Sequence, residues 1–253
     1  MMDRSIHRAR EAVRAANHQL DGAVWSAIQT LTDLPATDLR TPEYGKAEYL
    51  LNCTETGSPV AGSASLLSDI SATPLSDPPW IKVVGDQILV LRWLAHFLGF
   101  RHRAVHLFLD HPEDPDYTFI QIRSLSKYNQ PGLYDMPVAG HVDGVDSPRD
   151  TLRAELQEEL GLDDQEGLID VEQLATYNIA IPDFQPNYDE VEHTTLYRAK
   201  ISPEALSKIR LQEGELGGLV LFRKDELTRW FVTSPDRFGG GLIDSWKYYV
   251  DRG

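Results

Sequence analysis

Residues Gly140–Leu162 read GHVDGVDSPRDTLRAELQEELGL. A glycine-rich turn runs into a short helix and a second turn. Ser147 is an N-cap residue, Pro148 suits the first helical position, and Asp150 completes an acidic variant of the capping box. Gly161 is a natural helix stop, followed by apolar Leu162. The spacing predicts a helix from Pro148 to Leu160. Leu152, Leu156 and Leu160 form its buried stripe, while Glu155, Glu158 and Glu159 share another face. Three carboxylates within about 6 Å of one another repel. A divalent cation turns that repulsion into coordination, because Mg2+ takes oxygen ligands together with waters and substrate phosphates. A charge run on a helix also reads as a solvated face; the cap and the glycine turn weigh the other way.

In register, the stretch resembles the Nudix box, G-x5-E-x7-R-E-U-x-E-E-x-G-U, with U aliphatic. Gly140, Glu155, Leu156, Glu158, Glu159, Gly161 and Leu162 match. Asp146 stands where the family has Glu, and Ala154 where it has Arg. In the family that Arg holds a catalytic Glu by an ion pair. Arg153 is adjacent but rotated by about 100° around a helix, so it is no simple substitute. The resemblance implies an α/β fold, a Nudix α-β-α sandwich with a mixed sheet. Here it carries a mainly helical N-terminal extension.

The composition is that of an ordinary soluble protein of 253 residues with a formal net charge of −15. That charge argues against non-specific nucleic-acid binding and against adhesion to anionic membranes. An anionic substrate must then be neutralised locally, by cations and a few placed Lys or Arg. The one cysteine, Cys53, fits a reducing compartment and a small buried apolar role. No apolar run is long enough to span a bilayer, and the N-terminus lacks a signal-peptide core. A cytoplasmic protein is expected.

Taken in order, the apolar residues from Ile6 to Leu31 fall every three or four positions and predict helix from Asp3 to about Leu31, with Gly22 a candidate break. Pro35 and the polar run to Pro42 end it. Glu48 to Cys53 and Val60 to Leu67 read either as a hairpin or, from Thr54 to Pro79, as linker. Trp80 to Val84 is a short strand, Gly85-Asp86 a turn, and Gln87 to Leu98 a helix apolar on most sides. Arg103 to Asp110 and Tyr117 to Arg123 alternate as paired strands.

RHRAVHLFL, IQIRSLSK and PGLYDMPVAGHV extend the resemblance to the branch of the Nudix superfamily that includes isopentenyl-diphosphate isomerases and their hydrolase relatives. It covers about His96 to Leu227. In that branch the basic pair of R-x-x-x-K contacts the diphosphate, which implies Arg123 and Lys127 here. The isomerases also use two histidines as metal ligands, at positions matching His102 and His141, and His141 adjoins the expected substrate site. They need a cysteine just before G-H, where this chain has Ala139. Without that thiol the isomerase proton transfer lacks a partner, which favours hydrolysis.

Beyond the box, Leu174 to Ile181 and Glu192 to Ala199 read as strands around an irregular loop, Pro182 to Glu190. Pro203 to Ile209 reads as a short helix and Leu219 to Arg223 as a strand. Nudix hydrolases often place a further carboxylate in a loop outside the box; Glu213 and Glu215 are the candidates, with solvated loop acids as the alternative. Trp246, Tyr248 and Tyr249 in the tail are expected to pack on the core or on a homodimer partner. The expected organisation is an extension over 1–80, a Nudix domain over 81–232 and a tail over 233–253.

The resemblance implies Mg2+-dependent hydrolysis, with Mn2+ as a substitute, of a small-molecule organic diphosphate. Glu155, Glu158, Glu159 and the Gly140 carbonyl would hold the metal. The competing readings are a non-catalytic binding module, motivated by Ala154 and Asp146, and an isomerase.

Overall fold

The apolar spacing from Ile6 to Leu31 builds two helices, the second starting at the candidate break, Gly22. In the computed structural model, which describes residues 4–34, 48–144, 146–185 and 188–250, α1 is Arg4–Ala15 and α2 is Gly22–Gln29, continued by a 3-10 turn over Thr30–Asp33. The break precedes Gly22: Asn17 and His18 both adopt left-handed backbone (φ 52° and 64°). The Asp21 carboxylate then restarts the helix by accepting from Val24 N at 2.8 Å. The polar stop expected at Pro35 to Pro42 lies outside the described residues.

Next come β1 (Tyr49–Leu51), α3 (Ala64–Ala72), β2 (Ile81–Val84), β3 (Gln87–Leu91) and α4 (Arg92–Leu98). The helix expected over Gln87 to Leu98 is corrected. Its first five residues are the central strand of a three-stranded sheet, ordered β1-β3-β2. Gly85-Asp86 is a two-residue hairpin turn with Gly85 at φ 65°, closing the pair Val84↔Gln87. The run Ile88 to Leu91 is buried at every residue, so both faces of the strand are covered and the sequence is continuously apolar, a pattern that periodicity cannot assign. Between Cys53 and Pro79 neither alternative holds in full: the chain turns back only as far as Val60, and the segment expected as a strand to Leu67 or as linker becomes helix from Ala64. Val60 N bonds Asn52 O across a tight loop at 2.9 Å, and α3 follows, capped by Ser63.

Two units result. The first comprises 1–103, 141–146 and 178–193. Ile28, Leu31, Leu50, Leu94 and Phe97 are at its core. Trp25 is buried with them, and Trp80 meets Trp93 edge-on at 5.4 Å.

The second comprises 104–140, 147–177 and 194–253. Its elements are drawn from β4 (His102–Asp110), β5 (Tyr117–Arg123), β6 (Tyr134–Asp135), β7 (Val138–His141), α5 (Pro148–Leu160), α6 (Asp164–Gly167), β8 (Leu168–Gln185), β9 (Tyr188–Ile201), α7 (Pro203–Leu206), β10 (Leu216–Arg223), α8 (Lys224–Thr233) and α9 (Gly240–Val250). The large sheet is ordered β10-β5-β4-β9-β8, with β6 on β5 and β7 on β4, giving the expected mixed α/β architecture. The loop expected at Pro182 to Glu190 is corrected: β8 runs to Gln185 and β9 resumes at Tyr188. β8 is a sheet edge, where a proline without an N–H costs no ladder bond.

Helix α5 has the bounds its sequence predicts. Ser147 Oγ accepts from Asp150 N at 3.2 Å, and Gly161 takes the left-handed C-terminal position at φ 67°. The tail is folded too, with Trp246 and Tyr249 buried. Tyr249 donates to the buried Asp110 at 2.5 Å, and the same carboxylate takes Arg198 at 2.8 Å and Lys224 at 3.1 Å. No helix among the described residues is long and apolar enough to cross a membrane.

Candidate active site

Leu152, Leu156 and Leu160 are fully buried, and that stripe fixes how α5 presents its carboxylates. Glu159 is turned inward, only 7% exposed, and its Oε2 accepts from Ala139 N at 3.3 Å. Glu155, half-buried, lies against the next residue of β7: a Cβ on Gly140 would stand 1.9 Å from its Oε1. Glu158 is exposed. Burial holds the Glu159 carboxyl well above its usual range; the Glu155 charge adds to the effect and Glu215 reinforces it, while the Ala139 N–H and Lys127 oppose it.

The loop after β5 brings Lys127 to this place. Lys127 pairs with Glu215. Ser124 N bonds Glu215 O at 2.9 Å and Ser126 Oγ bonds Gly214 O at 3.1 Å, so the two loops are stitched together. Glu213 is exposed in the same turn. Arg123 is anchored within the protein, to Asp135 at 2.9 Å and to Asn129 O at 2.9 Å. Ala154 is exposed. Arg153 and Arg149 both bind Asp164, each at 2.8 Å, so neither stands in for the missing box arginine.

The first unit holds a separate cluster. One ligand atom from each of His96, His102, His141 and Glu190 falls within 4.8 Å of all the others. His102 Nδ1 donates to Phe100 O at 2.9 Å and His96 Nδ1 to Asp189 O at 3.3 Å. That tautomer leaves both Nε2 atoms as lone pairs, and these buried atoms have no hydrogen-bond partner among the described residues. His141 Nε2 lies 3.4 Å from Glu192 Oε1. Tyr188 stacks on His96 at 4.2 Å. Burial, then the neighbouring imidazoles, depress His96 well below its ordinary value; burial and His141 bring His102 down to about 4. Neutral imidazoles with inward lone pairs and a carboxylate are a donor set for a divalent cation.

Sequence reasoning brought His102 and His141 forward through the resemblance, and the structure sets them in this one cluster. It missed His96, Glu190 and Glu192. The available signal was alternation: Glu190 and Glu192 are two apart on a strand and so share a face. Both clusters fit a cation. Around α5 the donors are hard oxygens, one of them a buried carboxylate beside a like charge; in the first unit they are orphaned ring nitrogens.

The NUDIX domain pattern matches residues 100–238. An isopentenyl-diphosphate Delta-isomerase of Dinoroseobacter shibae is 40% identical over 85 residues, 34% of this chain and 46% of that protein, so the chain spans about half the isomerase's length. An uncharacterized Nudix hydrolase of Clostridium acetobutylicum is 31% identical over 154 residues, covering 59% of this chain and 70% of that protein. A MutT NUDIX hydrolase structure from Burkholderia pseudomallei is 17% identical with a TM-score of 0.44, over 58% of this chain and 97% of that one. A domain pattern matched from residue 100 to 238, with the box residues of α5 carried on its capped helix, places this chain in the NUDIX domain family.

Proposed function

We propose that this chain is a divalent-metal-dependent pyrophosphohydrolase acting on a small organic diphosphate. One observation carries the reading: α5 presses Glu155 and Glu159 against Ala139–Gly140, and Gln212 N bonds Glu159 O at 3.0 Å, tying the loop of the Lys127–Glu215 pair to the same helix end. Glu155, Glu158, Glu159 and the Gly140 carbonyl would hold Mg2+ or Mn2+. When bound, such a cation would supply charge neutralisation on the departing phosphate and would make a coordinated water more acidic. The residues of the chain do the rest. Lys127 supplies a point charge to a phosphate oxygen. A carboxylate, Glu155 or a loop acid such as Glu215 or Glu213, orients the water and takes its proton as the water oxygen bonds to phosphorus and the anhydride bond breaks. With a net charge of −15, such local neutralisation is what allows an anionic substrate to bind. The single buried Cys53 is consistent with a reducing, cytoplasmic setting.

The test is incubation with Mg2+ or Mn2+ and a panel of nucleoside-diphosphate sugars, dinucleotides, nucleoside triphosphates and isopentenyl diphosphate, scored for phosphate products. Glu159→Gln should abolish turnover and leave the circular dichroism spectrum unchanged; full activity in that variant overturns the assignment. The histidine cluster favours a second reading, isomerase-type proton transfer on an isoprenoid diphosphate. Ala139, where the isomerases have their thiol, weighs against it. Double-bond migration in isopentenyl diphosphate without phosphate release is the result that would select it.

A further inference from the structure

Three consecutive residues of β9 meet His96. Tyr188 stacks on its ring, the Asp189 carbonyl accepts from its Nδ1, and Glu190 joins it in the cluster. Along a strand, side chains alternate faces. Tyr188 and Glu190 therefore project to one side and Asp189 to the other. On that other side the Asp189 carboxylate is gripped by α1: Arg10, 3% exposed, pairs with one oxygen, and Arg14 reaches the other at 3.2 Å. Gly99, at φ 81°, leaves the carboxylate room, since a Cβ there would lie 2.8 Å from Asp189 Oδ2. Ile6, Ala9 and Val13 bury the same helix in the core.

A buried Arg–carboxylate pair is a poor source of stability, because desolvating both charges offsets most of their attraction. What the pair does provide is a fixed position. We infer that α1 is a brace for the histidine centre: Arg10 and Arg14 are positioning residues that hold Asp189, and with it the His96 tautomer and the Glu190 carboxylate, in register for a divalent cation. The inference rests on that centre taking an ion and is independent of the hydrolytic reading.

The test is a Co2+ titration of the full chain followed by visible absorption. The signal lost in His102→Ala defines the centre. The double variant Arg10→Met/Asp189→Asn removes both buried charges together, so that neither is left unpaired. It should weaken Co2+ at the His102-dependent site 10- to 100-fold, in the range typical of groups that orient metal ligands, and shift its absorption bands. Arg10→Lys, which keeps the charge, should recover part of the affinity. Ile28→Ala, in the same core, is the control for lost stability alone. Unchanged Co2+ affinity in the double variant, a loss no larger than that of the control at matched melting temperature, or a wild-type chain with no His102-dependent signal overturns the inference. If the double variant does not fold, Arg14→Ala decides: its side chain is partly exposed, and a several-fold loss with shifted bands is expected, with unchanged bands the contrary result. Failure of every diphosphate to turn over would remove the hydrolase reading and leave this inference standing.

Discussion

Glu155 lies so close over Gly140 that one added methyl group would stand 1.9 Å from its Oε1 and 2.2 Å from its carboxyl carbon. The two positions are fifteen residues apart in sequence, and the family motif keeps them in a fixed register. Gly140→Ala should therefore act as a displacement of Glu155. Misplacing a ligand by about an ångström costs on the order of 100-fold in turnover, whereas overpacking costs only about 1–3 kcal/mol of stability. Steady-state kinetics beside thermal melting measures both. Wild-type turnover in the alanine variant would mean that Glu155 does not work from this position.

Lys127 and Glu215 are both partly open to solvent, so their pairing contributes little to stability, under about 1 kcal/mol. Under the proposed function its value lies in placing a cation for an anionic ligand. Lys127→Met should leave the melting temperature within a few degrees and raise KM for a diphosphate by roughly 10-fold, as expected for one lost charge-assisted contact. The increase should be larger at low ionic strength than at high, because the lost attraction is otherwise screened. An unchanged KM at low salt contradicts it.

Asp110 is the anchor of the tail. It is buried and receives Tyr249, Arg198 and Lys224. Arg198 and Lys224 also stack over the Tyr249 ring at 5.3 and 5.1 Å. Asp110→Ala leaves two cations and a phenol without their acceptor, and should cost about 3–5 kcal/mol. Urea denaturation gives the value. A loss below about 0.5 kcal/mol would show that the arrangement is not structural.

Cys53 sits in the core of the first unit, and burial pushes its thiol from an ordinary 9.0 up to about 12. The folded value is raised, so this contribution to stability is complete below pH 9.0 and is lost as pH rises towards about 12. The native thiol should resist a disulfide reagent at pH 8 and react at once in urea. Rapid labelling of the native protein would contradict the burial.

How much of this was readable beforehand depended on whether local signals agreed. Around α5 every signal agreed: Ser147, Pro148, the leucine stripe and Gly161 named one helix, and its bounds hold. At Gln87–Leu91 they did not, because a strand covered on both sides and a buried helix look alike as apolar letters. Pro182 and its polar neighbours suggested a loop, since no sequence rule reveals that a segment will be a sheet edge. The positions of Lys127 and Glu215 needed two loops to be stitched together, and the partnership of His96 with Glu190 spans ninety-four residues. Only the folded chain brings such residues together. The resemblance reached His102 and His141 because they lie inside its span at matching positions, but it carried nothing about α1.

Three of the five tryptophans, Trp25, Trp80 and Trp93, belong to the first unit, and Trp230 and Trp246 to the second. Ultraviolet emission is therefore a weighted reporter of the half that contains the His96–His102–His141 cluster. Phenylalanine replacements made in each set would separate the two contributions to the fluorescence spectrum. Any lag between the two denaturation curves would then measure how far one half outlasts the other.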